Sequence, residues 1–246
     1  MKIIVTKNPE VLAQKAYEVY VELLTNKPDA VLGLATGSTP IGLYELLIEG
    51  NKNSEISFKE VRTFNLDEYL DLDISHPQSY HSFMDRILFN HIDIDKKNTH
   101  IPHIIGEAVF NSCLMYEDLL EAHPIDLQLL GLGSNGHIGF NEPGTDFRTK
   151  THIVELTDTT REDNARLFDS IDEVPTDAIT MGIDSIMSAD SILVLAYGES
   201  KADAVYEMIK GEINEQWPCT ILQKHRDVTL IVDEAAYEKV ASEFRN

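Results

Sequence analysis

Leu129-Leu130-Gly131-Leu132-Gly133-Ser134-Asn135-Gly136-His137-Ile138-Gly139-Phe140-Asn141-Glu142-Pro143 is the stretch on which the fold turns. Gly131, Gly133 and Gly136 satisfy the dinucleotide pattern G-x-G-x-x-G, and Glu155 follows at roughly the 20-residue distance that pattern asks for. The pattern also demands a sustained helix after the third glycine, because its N-terminus must hold a pyrophosphate. Gly139 and the Asn141-Glu142-Pro143 triplet interrupt any such helix within about two turns. The nicotinamide or flavin reading is therefore set aside. What remains is an apolar strand that ends in a glycine-dense turn and delivers a histidine, then a carboxylate, to the mouth of a sheet. A group that titrates near neutrality beside an acid suits proton transfer to a ligand.

Outward from this stretch the pattern repeats. Short β-branched runs alternate with amphipathic stretches, which predicts an α/β fold: a doubly wound, mostly parallel sheet with helices on both faces. Ile3-Ile4-Val5 reads as the first strand, and Asn8-Pro9 as the N-cap and first residue of a helix. Ala30 to Ala35, Val61 to Leu66 and Ile125 to Leu130 read as further strands. So do Ile153 to Leu156, Ala178 to Met181, Ser191 to Leu195 and Val228 to Val232. Helices are expected from Pro40, over Tyr80 to Asn90 and Glu107 to Glu121, near Glu162 to Phe168, and over Lys201 to Ile209 and Glu234 to Glu243. No repeat or composition shift marks a linker, so 1–246 is expected to be one domain. Its charged segment 158–177 reads either as a lid or as an ordinary surface helix.

The net charge of −22 opposes nucleic acid and anionic membranes as partners, and it makes any cation near a glycine loop informative. No long apolar span occurs, and the N-terminus is too short for a secretory signal, so a cytoplasmic protein is expected. Cys113 and Cys219 suggest neither a disulfide framework nor a zinc site. His76, His81, His100 and His103 show no metal-binding spacing, and no metal is expected.

Three further segments carry candidate chemistry. Leu34-Ala35-Thr36-Gly37-Ser38-Thr39-Pro40 runs from a strand through a hydroxyl-rich turn into a helix start. It either binds phosphate through backbone N–H groups and hydroxyls or merely caps the helix. In Thr63-Phe64-Asn65-Leu66-Asp67-Glu68-Tyr69 two adjacent acids close a strand. They either provide a base with a raised pKa or cap a helix or sit in solvent. Asn135 is placed to orient His137, and Glu142 to pair with it. Arg166 and Lys201 would ordinarily be solvated charges, but in an anion site the first would grip phosphate with its fork and the second add a point charge.

Together these segments resemble the glucosamine-6-phosphate deaminase family along nearly the whole chain. The resemblance rests on Gly33 to Pro40, Thr63 to Tyr69, Gly136 to Pro143 and Thr160-Arg161 through Arg166. It implies a fold like that of ribose-5-phosphate isomerase, an amino-sugar phosphate as small-molecule partner and no obligatory cofactor. It leaves monomer or homo-oligomer undetermined. By position it implies Asp67 as the base that moves a proton from C2 to C1, and His137 with Asn135 and Glu142 as the ring-opening group. It implies Thr36, Gly37, Ser38, Thr39, Arg166 and Lys201 as phosphate contacts. Some members carry aspartate where this chain has Asn135; an amide cannot accept a proton, so here Glu142 is left as the ionised partner. Basic residues that bind an activating N-acetylglucosamine 6-phosphate in larger members are replaced here by His152 and Val154, which implies that the response is absent. The nearest rival is a 6-phosphogluconolactonase, which lacks the Ile-Gly-Phe-Asn-Glu-Pro continuation and needs no enolising base. A non-catalytic sugar-phosphate sensor would have no use for Asp67 or His137.

Overall fold

The computed structural model describes residues 1–70, 72–103, 109–157, 161, 168 and 170–243. Seven strands form one parallel sheet: β1 (Lys2–Thr6), β2 (Val31–Leu34), β3 (Arg62–Asn65), β5 (Thr99–His100), β6 (Leu127–Gly131), β9 (Ser191–Ala196) and β10 (Val228–Asp233). Their spatial order is β1-β10-β9-β6-β2-β3-β5, with every pair parallel. In β9 the consecutive residues Ile192 to Ala196 are all buried, and in β6 Leu127 to Leu130 are too. Side chains alternate between faces along a strand, so unbroken burial means both faces are covered. Helix α1 (Pro9–Asn26) shows how its own sequence achieves this. Asn8 caps it by accepting from the Val11 N–H at 2.9 Å, Pro9 sits in the first turn, and Leu12, Ala16, Tyr20 and Leu24 form a buried row four residues apart. Burial of each such side chain contributes about 1.5–3 kcal/mol.

The chain runs outward from β2 to β3 and β5, returns to place β6 on the other flank of β2, and then continues to β9 and β10. The carboxyl ends of β2 and β6 therefore flank a topological switch point, where open α/β sheets form their binding crevice. The glycine-dense turn follows β6 directly. No residue from Leu132 to Lys150 is helical, and Gly136 and Gly139 have φ of 83° and 58°. The dinucleotide reading fails for the reason expected.

Part of the expected sheet belongs elsewhere. β4 (Asp67–Tyr69), β7 (His152–Glu155) and β8 (Asp177–Thr180) form a separate antiparallel sheet in the order β4-β8-β7. The expected strands at Ile153 to Leu156 and Ala178 to Met181 exist, then, but they do not extend the parallel sheet. Leu66 joins the two sheets, donating its N–H to Leu34 O at 3.2 Å and accepting the Met181 N–H at 2.6 Å. Asp67 is consequently the first residue of a new strand rather than the last of β3.

The remaining helices are α2 (Ile41–Lys52), α3 (Tyr80–Met84, continued by a π-helical turn over Asp85–Phe89), α4 (Val109–Ala122), α5 (Ile183–Met187), α6 (Ala202–Lys210) and α7 (Glu234–Glu243). The helix expected near Glu162 to Phe168, and most of the lid segment 158–177, lie outside the described residues. Within that segment Phe168 packs edge-on against Tyr69 at 6.1 Å, and the Arg161 guanidinium donates to the carbonyls of Ile171 and Val174.

Candidate active site

The loops after β2, β3, β6 and β9 converge on one cavity of about 240 Å³. It is lined by Thr36, Gly37, Ser38, Thr39, Asp67, Tyr80, Gly133, His137, Gly139 and Lys201, among others. That volume suits one small polar ligand rather than a drug-sized apolar one. A larger cavity of about 390 Å³ lies behind the same loop and shares Ser38 and Thr39. Glu10, Glu45 and Glu49 line it, which is the wrong charge for an anion.

The Thr36–Thr39 loop is braced from below. The Tyr44 hydroxyl, carried by α2, donates to Ala35 O at 2.6 Å and accepts the Ala35 N–H at 3.2 Å. Gly37 has φ 86°, a conformation that L side chains rarely adopt. The N-cap of α2 is Pro40, which provides no side-chain hydrogen bond. The capping role open to this segment is thus not taken by the residue at the cap position. Three hydroxyls of the turn that leads into this 12-residue helix line the cavity, next to the helix's positive end. Lys201 reaches the same cavity from a short turn, Glu199–Lys201, after β9. That turn is tied down because the Gly198 N–H donates to both Asp233 oxygens at 3.0 and 3.1 Å, while Asp233 also accepts the Ala236 N–H at the start of α7. Arg166 lies outside the described residues.

The acid pair divides its roles, as alternation along a strand requires. Asp67 lines the cavity and is buried at 6% exposure. Its pKa is pushed up to about 8, first by burial and then by the neighbouring Glu68 charge. Glu68 points the other way and receives the first turn of α3. Glu68 takes the helix-capping alternative, while Asp67 lines the cavity with its pKa raised.

In the turn after β6, His137 projects over Gly133. A β-carbon built on Gly133 would lie 2.4 Å from His137 Nδ1, so only glycine leaves room for the ring. Asn135 ties the turn together: it accepts the His137 N–H at 3.2 Å and donates from its amide nitrogen to Glu142 Oε2 at 2.8 Å. It orients His137 through the backbone and through Glu142, not by a bond to the imidazole itself. His137 Nδ1 lies 3.7 Å from Glu142 Oε2, one small adjustment from a hydrogen bond. Asn141 locks the far side, donating to the carbonyls of Ile138 and Met181 at 2.8 and 2.9 Å.

The other histidines are engaged separately. His81 meets Glu68, His100 meets Arg62, and His225 faces the carbonyls of Ala189 and Asp227. Burial and the adjacent guanidinium hold the His100 pKa down to about 4. Tyr80 is the lining residue that the sequence reading missed. Burial, then the nearby Tyr69 and Asp67, keep its phenol well above the ordinary tyrosine range, with Tyr69 and Thr36 both in hydrogen-bonding reach. Nothing local in the sequence marks a tyrosine at a helix start as facing a cavity.

Known proteins resemble this chain along nearly its whole length. Residues 7–231 match the family model described as glucosamine-6-phosphate isomerases/6-phosphogluconolactonase. A glucosamine-6-phosphate deaminase of Mycoplasma mycoides subsp. mycoides SC is 53% identical over 98% of each chain, and one of Halalkalibacterium halodurans is 50% identical over 98% of each. A solved structure of a monomeric glucosamine-6-phosphate deaminase superposes with a TM-score of 0.93 at 44% identity, covering 97% of this chain and 99% of that one. A 6-phosphogluconolactonase from Trypanosoma cruzi shares the fold, with a TM-score of 0.78 at 22% identity over 97% of this chain and 96% of its own. By family-model match, by identity across nearly its whole length and by fold, the chain belongs to the glucosamine-6-phosphate isomerase/6-phosphogluconolactonase family.

Proposed function

We propose that this protein converts glucosamine 6-phosphate and water to fructose 6-phosphate and ammonia, with Asp67 as the base. The observation that carries the reading is the meeting, in one cavity, of a buried acid, an imidazole-bearing turn and a hydroxyl loop at a helix start. Thr36 to Thr39 and Lys201 hold the phosphate, with Arg166 as a further contact by family position. Binding at that remote group positions the reacting carbons against Asp67. His137 removes the anomeric hydroxyl proton and returns one to the ring oxygen, with Glu142 compensating its positive charge. Ring opening exposes an aldehyde at C1, which acidifies the C2 hydrogen. The Asp67 carboxylate takes that proton while one proton of the ammonium group passes to the C1 oxygen, giving an enolamine. Asp67 then delivers its proton to C1, and the nitrogen lone pair closes the protonated imine at C2. Water adds to C2, the carbon–nitrogen bond breaks, and ammonia departs as the C2 carbonyl forms.

A lactonase needs no proton acceptor aimed at C2, and the burial of Asp67 in the cavity supports the deaminase reading. Incubation with glucosamine 6-phosphate is expected to release ammonia and fructose 6-phosphate in equal amounts, with no comparable hydrolysis of 6-phosphogluconolactone. Lactone hydrolysis without ammonia would overturn the assignment. The proposed compartment is the cytoplasm, where a phosphorylated substrate is retained. Among the described residues no helix is long and apolar enough to cross a membrane.

The raised pKa of Asp67 has a kinetic consequence. In the empty cavity the carboxyl keeps its proton below about pH 8, yet the reaction needs the ionised form. The substrate's ammonium group at C2 brings a positive charge beside it and lowers its pKa. Because kcat/KM reports the free enzyme, it should climb about tenfold per pH unit between about pH 6 and 7 and level off near pH 8. The acidic limb of kcat should fall at lower pH. A kcat/KM that stays flat from about pH 6 to 8 contradicts the assignment of Asp67.

A further inference from the structure

Glu68, which faces away from the cavity, is 2% exposed and gathers four contacts. Its Oε1 accepts the N–H groups of Tyr69 and Tyr80, each at 2.9 Å. Its Oε2 accepts the His81 N–H at 3.0 Å and meets His81 Nδ1 at 2.8 Å. The carboxylate thus plugs the first turn of α3 onto β4. The other cap of that turn, Ser79, accepts the Ser82 N–H at 3.0 Å and donates to Ile74 O at 2.7 Å. Tyr80, the first residue of α3, holds its phenol within hydrogen-bonding reach of Tyr69 and Thr36, and its ring lies 4.8 Å from Tyr69 and 6.2 Å from Phe140. One carboxylate therefore ties together the strand carrying Asp67 and the helix whose tyrosine touches the phosphate loop.

We propose that Glu68 is a positioning residue for the C2-to-C1 proton transfer, clamping α3 to β4 so that Tyr80 and Asp67 keep a fixed relation to each other and to Thr36. This rests on Asp67 being the base. Glu68 never touches substrate. It acts through the direction of the neighbouring carboxyl and through the phenol it anchors. It also places a negative charge beside Asp67, which favours retention of the Asp67 proton. Among the described residues, the other titratable groups around Asp67 are Tyr80 from α3, Tyr116 from α4, His137 from the turn after β6 and Lys201 from the turn after β9.

Glu68→Gln keeps the side chain's size but turns an amide nitrogen toward donors. The clamp loosens, and a displacement of about 1 Å at a reacting group costs on the order of 10²-fold. The expected result is a kcat lowered about 10- to 100-fold with KM within about threefold, because the loop from Thr36 to Thr39 loses only its tie to Tyr80 and keeps its brace at Tyr44. With the neighbouring charge removed, the acidic limb of kcat/KM should also move to lower pH by about one unit, a shift that general loosening would not produce. His81→Gln leaves the charge and the backbone donors and removes only the imidazole contact. It should lower kcat about three- to tenfold with the limb in place. A folded Glu68→Gln protein with parental kcat and pH limb overturns the proposal. Should that variant not fold, an unchanged kcat in His81→Gln overturns it equally. Asp67→Asn, measured in parallel, separates the two levels. If it remains active the base assignment falls; if it is inactive while Glu68→Gln is unaltered, only the role given to Glu68 falls.

Discussion

Asp67→Asn is expected to lower turnover of glucosamine 6-phosphate by about 10³- to 10⁴-fold while leaving binding of a sugar phosphate within a few-fold. The side chain keeps its shape but can no longer accept a proton from C2. The proposed phosphate contacts at Thr36 to Thr39 and Lys201 are on other loops of the cavity and are not disturbed. Stability should move in the opposite direction. The folded-state pKa of about 8 lies above the ordinary 3.8, so between these values the folded protein holds a proton that the unfolded chain releases. Stability contributed by this group is therefore present at low pH and is lost as pH rises toward and through 8. Asparagine carries no such penalty. The variant should melt about 3–6 °C above the parent at pH 8, with the difference closing toward pH 4. Retained turnover, or a melting temperature unchanged at pH 8, would show that the carboxyl does not sit as described.

The second large effect is expected at a residue with no side chain. Gly133→Ala places a methyl group 2.4–2.5 Å from three atoms of the His137 ring. The backbone at this position is not in the left-handed region, so the substitution acts through that contact and not through the chain path. The hydrogen bonds from Gly133 N to His137 O and from Gly136 N to Gly133 O, both 3.0 Å, can persist. The imidazole must swing away, and with it the proposed ring-opening group. A loss of about 10²-fold in kcat is expected, with KM within about threefold and a melting temperature close to the parent's. Steady-state kinetics and a thermal melt decide it. Parental kcat in a folded Gly133→Ala protein would remove His137 from ring opening.

Much of this was legible in the chain because the informative features are local. The Asn8-Pro9 cap, the buried runs of β6 and β9, and the break of helical character at Gly139 and Pro143 follow from propensity and sterics. The small antiparallel sheet was not legible as such. Its strands are three or four residues long, and Asp67-Glu68-Tyr69 has neither β-branched residues nor apolar alternation. β5, only two residues, was missed for the same reason. The choice between a reactive and a structural acid pair also depended on that missed strand, since two-residue periodicity sends Asp67 and Glu68 to opposite sides. Tyr80 belongs to the cavity only through the docking of α3, a tertiary fact without a sequence mark.

Leu66 links the two sheets between β3 and β4, with the proposed phosphate loop on one side of it and the proposed base on the other. The span between anchor and base is therefore a built-in ruler. A substrate shorter by one carbon shifts its nitrogen-bearing atom by about the length of a carbon–carbon bond, ~1.5 Å. Such a homologue can still be held by its tail, yet it presents the wrong atom to the carboxyl. Chain length is thereby selected at the chemical step rather than at capture.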